Sequence, residues 1–213
     1  MNFWNFMSQN RLEIADLTLE HLWMVGMSTL LALAVGIPLG ILISRRPVLR
    51  KPVIAIANII QTIPSLALFG FLLPAPWIGA RATRLAILAL MLYSLLPLIR
   101  NTYAGITGVD RAVVQAARGM GLTEWQLLFK VQLPLAASVI LAGVRVATVI
   151  SIGLATIAAA IGAGGLGELI FRGLAMVNNS VILAGAIPAA LMALAADTLL
   201  GWLEKRFTPQ RVE

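Results

Sequence analysis

Cysteine is absent, histidine occurs once, and charged residues make up only 12% of the 213 positions. Without cysteine there is no disulfide and no thiolate metal site. One histidine, His21, and a single deeply placed acid leave no set from which a catalytic site could be assembled. No G-x-x-x-x-G-K-[ST] sequence occurs, so the chain does not bind ATP by that device. No cofactor or metal is expected. Soluble domains carry about 25% charged residues. At half that share, with 60% hydrophobic residues, the chain reads as an all-α integral membrane protein. The net charge of +7 does not indicate nucleic acid, because the basic residues border the apolar runs. In a membrane protein that pattern sets orientation. Residues 1 to 20 are mixed polar and aromatic, with no basic start before a short apolar core, so no cleavable signal is expected there.

A membrane span needs about 20 apolar residues. Leu22 to Ile43 gives a first span, closed by Arg45, Arg46, Arg50 and Lys51 around Pro47 and Pro52. Val53 to Leu73 gives a second, ended by Pro74 and Pro76, and Ala82 to Ile99 a third. Leu135 to Ala160 gives a fourth, interrupted only by Arg145, and Val181 to Leu203 a fifth, interrupted only by Asp197. The glycine-rich stretch Gly162 to Asn179 reads as a turn and a short surface or re-entrant helix. Five spans put the termini on opposite sides. With the amino terminus outside, eleven lysines and arginines face the cytoplasm and four the exterior, a clear positive-inside bias.

The segment QAARGMGLTEWQLLFKVQLP, residues 115 to 134, is polar where the rest of the chain is apolar. By the charge count it is cytoplasmic. Asp110 can cap a helix beginning at Arg111, and Gly121 suits the left-handed position after that helix. Thr123 and Gln126 form a T-x-x-Q capping box for a second helix, with Leu122 placed to staple onto Leu127. Pro134 marks the start of the fourth span, where its missing N–H costs nothing in a first turn. The spacing predicts a helix, a glycine turn and a helix, held stiff by its caps.

These residues resemble the coupling loop of ABC importer permeases (the transmembrane type-1, MetI-like class). That motif reads E-A-A, three residues, G, nine residues, I-x-L-P. The matching positions are Gln115, Ala116, Ala117, Gly121, Val131, Leu133 and Pro134, with Gln115 standing for the glutamate and Val131 for the isoleucine. The segments IIQTIPSLALFGFLLP and IAAAIGAGGLGELIFRGL are similar to permeases for glycine betaine, carnitine and choline. The resemblance implies a permease domain over residues 21-206 with its coupling loop at 104-134. An extracytoplasmic segment, 1-20, precedes it and a cytoplasmic tail, 207-213, follows. It implies a second permease chain, two cytoplasmic ATP-binding subunits gripping Gln115 to Thr123, and an extracytoplasmic solute-binding protein. ATP hydrolysis would then reside in a partner. A permease for another small solute such as an amino acid is the nearest alternative, and a self-sufficient secondary transporter a more distant one.

Other features admit two readings. Gln61, Thr62, Pro64 and Ser65 in the second span form either a pathway-lining kink or an ordinary proline kink with polar groups turned inward. Arg145 and Asp197 fall at similar depth, roughly 12–16 Å from the inner face at 1.5 Å per residue, and are expected to pair or to line a wet cavity. Gly162, Gly164 and Gly167 match G-x-G-x-x-G, but no strand is expected before them. A sharp turn and close helix approach are expected instead. Gly36 and Gly40 form G-x-x-x-G, a close-packing device, but Pro38 lies between them, so a kink is the reading preferred. His21 is expected at the outer edge of the first span. Trp4, Trp23, Trp77 and Trp202 are expected near the membrane interfaces, and Trp125 on the coupling helix. Quaternary ammonium recognition usually uses an aromatic cage, but only two tyrosines occur, Tyr93 and Tyr103, and no aromatic cluster falls in an expected pathway. Selectivity is therefore assigned to the separate binding protein.

Overall fold

The computed structural model describes residues 3–74 and 81–207, and every regular element there is helical. Pro76, Trp77 and the tail beyond Phe207 lie outside the described residues. In chain order the helices are α1 (Phe3–Gln9), α2 (Arg11–Arg45), α3 (Pro47–Thr62), α4 (Ser65–Leu72), α5 (Ala82–Thr107), α6 (Arg111–Gly119), α7 (Glu124–Leu127), α8 (Leu133–Ala158), α9 (Gly167–Ala175) and α10 (Asn179–Arg206). Four runs are long and apolar enough to cross a membrane: α2, α5, the continuous stretch Glu124–Ile161 that contains α7 and α8, and α10. The bent pair α3 and α4 is a fifth if counted together.

Helix α5 is the central member. Buried residues make up 61% of its most apolar stretch, against 22% for α10. Helices approach it closely where glycines face it, because lipid offers no hydrophobic drive between helices and contact area decides. A Cβ added at Gly36 of α2 would lie 2.9 Å from Leu98 Cβ, and one at Gly40 would lie 2.5 Å from Thr102 Cβ. On its other side, a Cβ at Gly143 of α8 would lie 2.6 Å from Asn101 Cβ. Ser94 and Ser151, buried between α5 and α8, are joined at 2.8 Å. Pro38 does not interrupt α2, which runs unbroken from Arg11 to Arg45. The Gly36–Gly40 pair is a packing seam against α5.

Helix α2 begins well before the expected first span and passes through residue 20 without a break. The amphipathic start is held by tertiary contacts, not by apolar run length. Ile14 and Leu17 are buried against Leu166, Leu169 and Val181, and Glu13 pairs with Arg172 of α9 at 2.7 Å. This earlier start also moves His21 away from any helix end. It is fully buried, and its Nε2 donates to the Ile152 carbonyl of α8 at 3.1 Å. His21 therefore ties α2 to α8.

Beyond α8 the chain reverses through Gly162, Gly164 and Gly165, at φ of +77°, +85° and +76°. Side chains other than glycine rarely adopt that region. Gly165 N–H donates to the Glu20 carboxylate at 3.1 Å, and Gly167 sits directly against the backbone carbonyl of Thr156. The glycines therefore make a turn and a close approach, and the element before them is a helix rather than a strand.

Candidate functional site

The polar insert folds as an elbow between α5 and α8. The Asp110 carboxylate accepts from the Ala112 N–H at 2.8 Å, so α6 starts at Arg111. Helix α6 ends in a Schellman turn: Leu122 N–H reaches the Ala117 carbonyl at 3.2 Å, and Gly121 N–H the Arg118 carbonyl at 2.9 Å. Gly121 takes φ +82° there. Thr123 then opens α7 with a complete capping box, Gln126 N–H to Thr123 Oγ1 at 3.3 Å and Thr123 N–H to Gln126 Oε1 at 2.9 Å.

The second arm differs from expectation. Pro134 does not begin a separate helix, because helical backbone is continuous from Glu124 to Ile161. A regular turn would drive the proline ring into the carbonyl four residues back. The chain widens into a π turn over Leu128–Gln132, where Leu133 N–H reaches the Leu128 carbonyl five residues away. One side of the elbow is anchored, with Leu127 and Leu128 fully buried and Leu128 packed with Ile106 and Ala136. The other side is open. Trp125 and Phe129 stack at 5.8 Å and are 70% and 58% exposed, and Met120 of the preceding turn is exposed too. Gln115 and Ala116 are exposed, and Ala117 is buried. Gln115 borders a cavity of about 320 Å³ shared with Thr107, Arg111, Arg118 and Gln132. Replacing Asp110 or Thr123 by alanine removes one cap and is expected to cost about 1 kcal/mol of local helix stability. Hydrogen exchange should quicken in residues 111–127 while α5 and α8 stay protected.

Gln61, Thr62, Pro64 and Ser65 gather at the corner between α3 and α4, which turns by 100°. This exceeds the expected proline kink, and α4 has only eight residues. Ile63 is extended, at φ −67° and ψ 128°, because a residue before proline disfavours the helical region. The carbonyl that this frees accepts from the Tyr93 hydroxyl of α5. Pro64 supplies the first carbonyl of α4, accepting from Leu68 N–H at 2.9 Å. Thr62 and Pro64 are exposed, and Gln61 and Ser65 half-buried. Tyr93 was not identified from sequence as a partner of this corner, since nothing local links positions thirty residues apart.

Arg145 and Asp197 join α8 to α10 through a two-pronged pair, Nε to Oδ1 at 2.6 Å and Nη2 to Oδ2 at 2.7 Å. A third partner escaped the sequence reading: Glu204 accepts from Arg145 Nη1 at 3.4 Å. Asp197, Gly201 and Glu204 lie four and then three residues apart on α10, one helical face, so the spacing carried the signal. The guanidinium rests on Gly201, where an added Cβ would come within 3.1 Å of Nη1.

Among the described residues no group of three His, Cys, Asp or Glu side chains could hold a metal ion. The family described as binding-protein-dependent transport system inner membrane component matches residues 36–209. The chain is 48% identical over 205 residues to the glycine betaine/carnitine/choline transport system permease protein OpuCD of Bacillus subtilis (strain 168), covering 96% of this chain and 88% of that one. It is 48% identical over 191 residues to the carnitine transport permease protein OpuCD of Listeria monocytogenes, covering 89% and 84%. It is 41% identical over 210 residues to the osmoprotectant import permease protein OsmW of Salmonella typhimurium, covering 98% of both. In fold it is similar to a chain of the MetNI methionine ABC transporter in an inward-facing conformation, with a TM-score of 0.81, 24% identity, and coverage of 89% of this chain and 94% of that one. On this length of match, the chain belongs to the family of inner membrane permease components of binding-protein-dependent ABC importers.

Proposed function

We propose that this chain is the membrane subunit of an ATP-driven importer for a small quaternary ammonium osmolyte: glycine betaine, choline or carnitine. The elbow carries the reading of a machine driven from outside the bilayer. It is two separately capped helices about a glycine turn, anchored on one side by Leu127 and Leu128 and presenting stacked Trp125 and Phe129 on the other. Rigid capped ends let such an element transmit force, and an ATP-binding subunit grips Gln115, Ala116, Ala117, Gly121, Leu122 and Thr123, with Pro134 at the base of the second arm. The named solutes of the relatives support the solute class.

The family works with an ATPase, a solute-binding protein and a second permease. In our reading two ATP-binding subunits lie on the cytoplasmic side and the second permease is an identical or a related chain. The amino terminus and residues 1-20 are extracytoplasmic, and 207-213 is cytoplasmic. Gln61, Thr62, Pro64 and Ser65 line the solute path, a role supported by the sharp corner they form and by the exposure of Thr62 and Pro64 there. The Arg145–Asp197 pair lies within the bilayer, where a lone charge would be costly.

The test is uptake into proteoliposomes holding the complex purified with its ATPase, with the binding protein supplied outside. Labelled glycine betaine, choline and carnitine are compared with a mixture of amino acids. Uptake of one or more of the three is expected to require both ATP and the binding protein. Uptake driven by an ion gradient without ATP overturns the importer reading. ATP-dependent uptake confined to amino acids overturns the solute class.

A further inference from the structure

Arg45 ends α2, seventy-nine residues before Glu124 in the chain, yet its guanidinium grips both the start of α7 and the end of the π turn. Nη1 donates to Glu124 Oε2 at 2.6 Å, and Nη2 donates to Gln132 Oε1 at 2.7 Å and to the Glu124 carbonyl at 3.3 Å. The second oxygen of the same carboxylate, Glu124 Oε1, accepts from Arg118 Nε at 3.1 Å and lies 3.0 Å from Arg118 Nη2. One carboxylate thus joins three elements: the end of α2, the last turn of α6 and the start of α7. The planar guanidinium fork makes this possible, and a lysine has only a point charge with which to attempt it.

These side chains are partly solvated, Arg45 at 28% and Glu124 at 58% exposure. Ion pairs in that setting add little to global stability, so a purely structural purpose accounts poorly for three hydrogen bonds converging on one arginine. The mechanical setting accounts for it better. Helix α2 bears on α5 through Gly36 and Gly40. A motion of the elbow that reached α2 would therefore reach the centre of the bundle. Among the described contacts, Arg45 is the polar link between α2 and α7.

We propose that Arg45 is a positioning residue that yokes the elbow to α2, so that the two move as one body when the ATPase drives the elbow. The proposal rests on the importer reading above. It is tested in the full complex with ATPase and binding protein, by measuring solute taken up per ATP hydrolysed. Arg45→Gln is expected to lower that ratio by about five-fold or more, the usual lower range of a coupling between two sites, while the ATPase still copurifies. Arg45→Lys should restore little of it. Glu124→Gln should lower it too, and the double variant should be no worse than the poorer single one, because both remove one shared contact.

The absence of cysteine allows a direct measure of movement. Spin labels at Arg46→Cys and Met120→Cys, both exposed positions, should keep their separation when ATP is trapped with vanadate. They should lose it in the Arg45→Gln background. An unchanged uptake ratio in Arg45→Gln, additive losses in the double variant, or a label separation indifferent to Arg45 would each overturn the yoke. If Arg45→Gln fails to assemble, Gln132→Leu removes a single prong, and an unchanged ratio in that variant also overturns it. Uncoupled or ATP-independent uptake by the unaltered complex would instead sink the importer reading, so the two failures are distinct.

Discussion

Gly167→Ala is expected to prevent stable assembly of the permease. The added methyl would meet the carbonyl oxygen, carbonyl carbon and Cα of Thr156, all backbone atoms of α8. A flexible side chain can step aside, but a helix backbone cannot without moving its neighbours. Here the neighbours are fixed: His21 bonds to the Ile152 carbonyl one turn below, and Ala155 and Ala158 are fully buried. Overpacking of this kind costs about 1–3 kcal/mol and more where backbone must shift. The control lies on α8 itself, since a Cβ at Gly153 meets nothing within 4 Å. Gly153→Ala should be neutral or slightly stabilising, because alanine is the better helix former. Thermal unfolding of the purified complex in detergent separates the two variants. A Gly167→Ala complex that melts with the unaltered one would show that the packing at the glycine turn is looser than described.

The second large effect is expected at Arg145, and it should be asymmetric. Arg145→Gln leaves Asp197 and Glu204 facing one another's field on a single face of α10, with their shared cation gone. Asp197→Asn is milder, because Arg145 keeps Glu204 and can still donate to the new amide oxygen. Charges left without a partner in a membrane span are expensive. We expect the amount of assembled complex to fall by roughly five- to ten-fold in Arg145→Gln and by less in Asp197→Asn. The double variant should recover part of the loss, since it also removes the Asp197 charge that Arg145 had paired through two hydrogen bonds. Equal losses in both single variants, or a double variant that does no better than Arg145→Gln, would count against the three-way pairing.

How much was legible in the sequence depended on how local each cause was. The spans came from run length, and the caps of the elbow from side chains within three residues of the backbone they serve. Both are short-range physics. The 100° corner at Ile63 was only half legible. Pro64 announced a break, but its size rests on Tyr93 receiving the freed carbonyl from another helix. The tie from His21 to α8 was missed for a related reason. Apolar run length put His21 at an end, whereas α2 starts earlier because Ile14, Leu17 and Glu13 find partners on α9 and α10. Arg45 was counted only for its charge, and its grip on Glu124 and Gln132 needs the fold to bring the two together. Glu204 alone was within reach, from its spacing to Asp197 on one face.

The unbroken helix from Glu124 to Ile161 counts 38 residues, about 55 Å at 1.5 Å per residue. A bilayer core is about 30 Å thick, so much of this rod projects past the oily layer. Pivoted near one tip, a tilt of only five degrees sweeps the other by about 5 Å. Leverage on that scale lets a small rotation at the foot become a gate-sized displacement at the head, without a single hydrogen bond in the rod having to break.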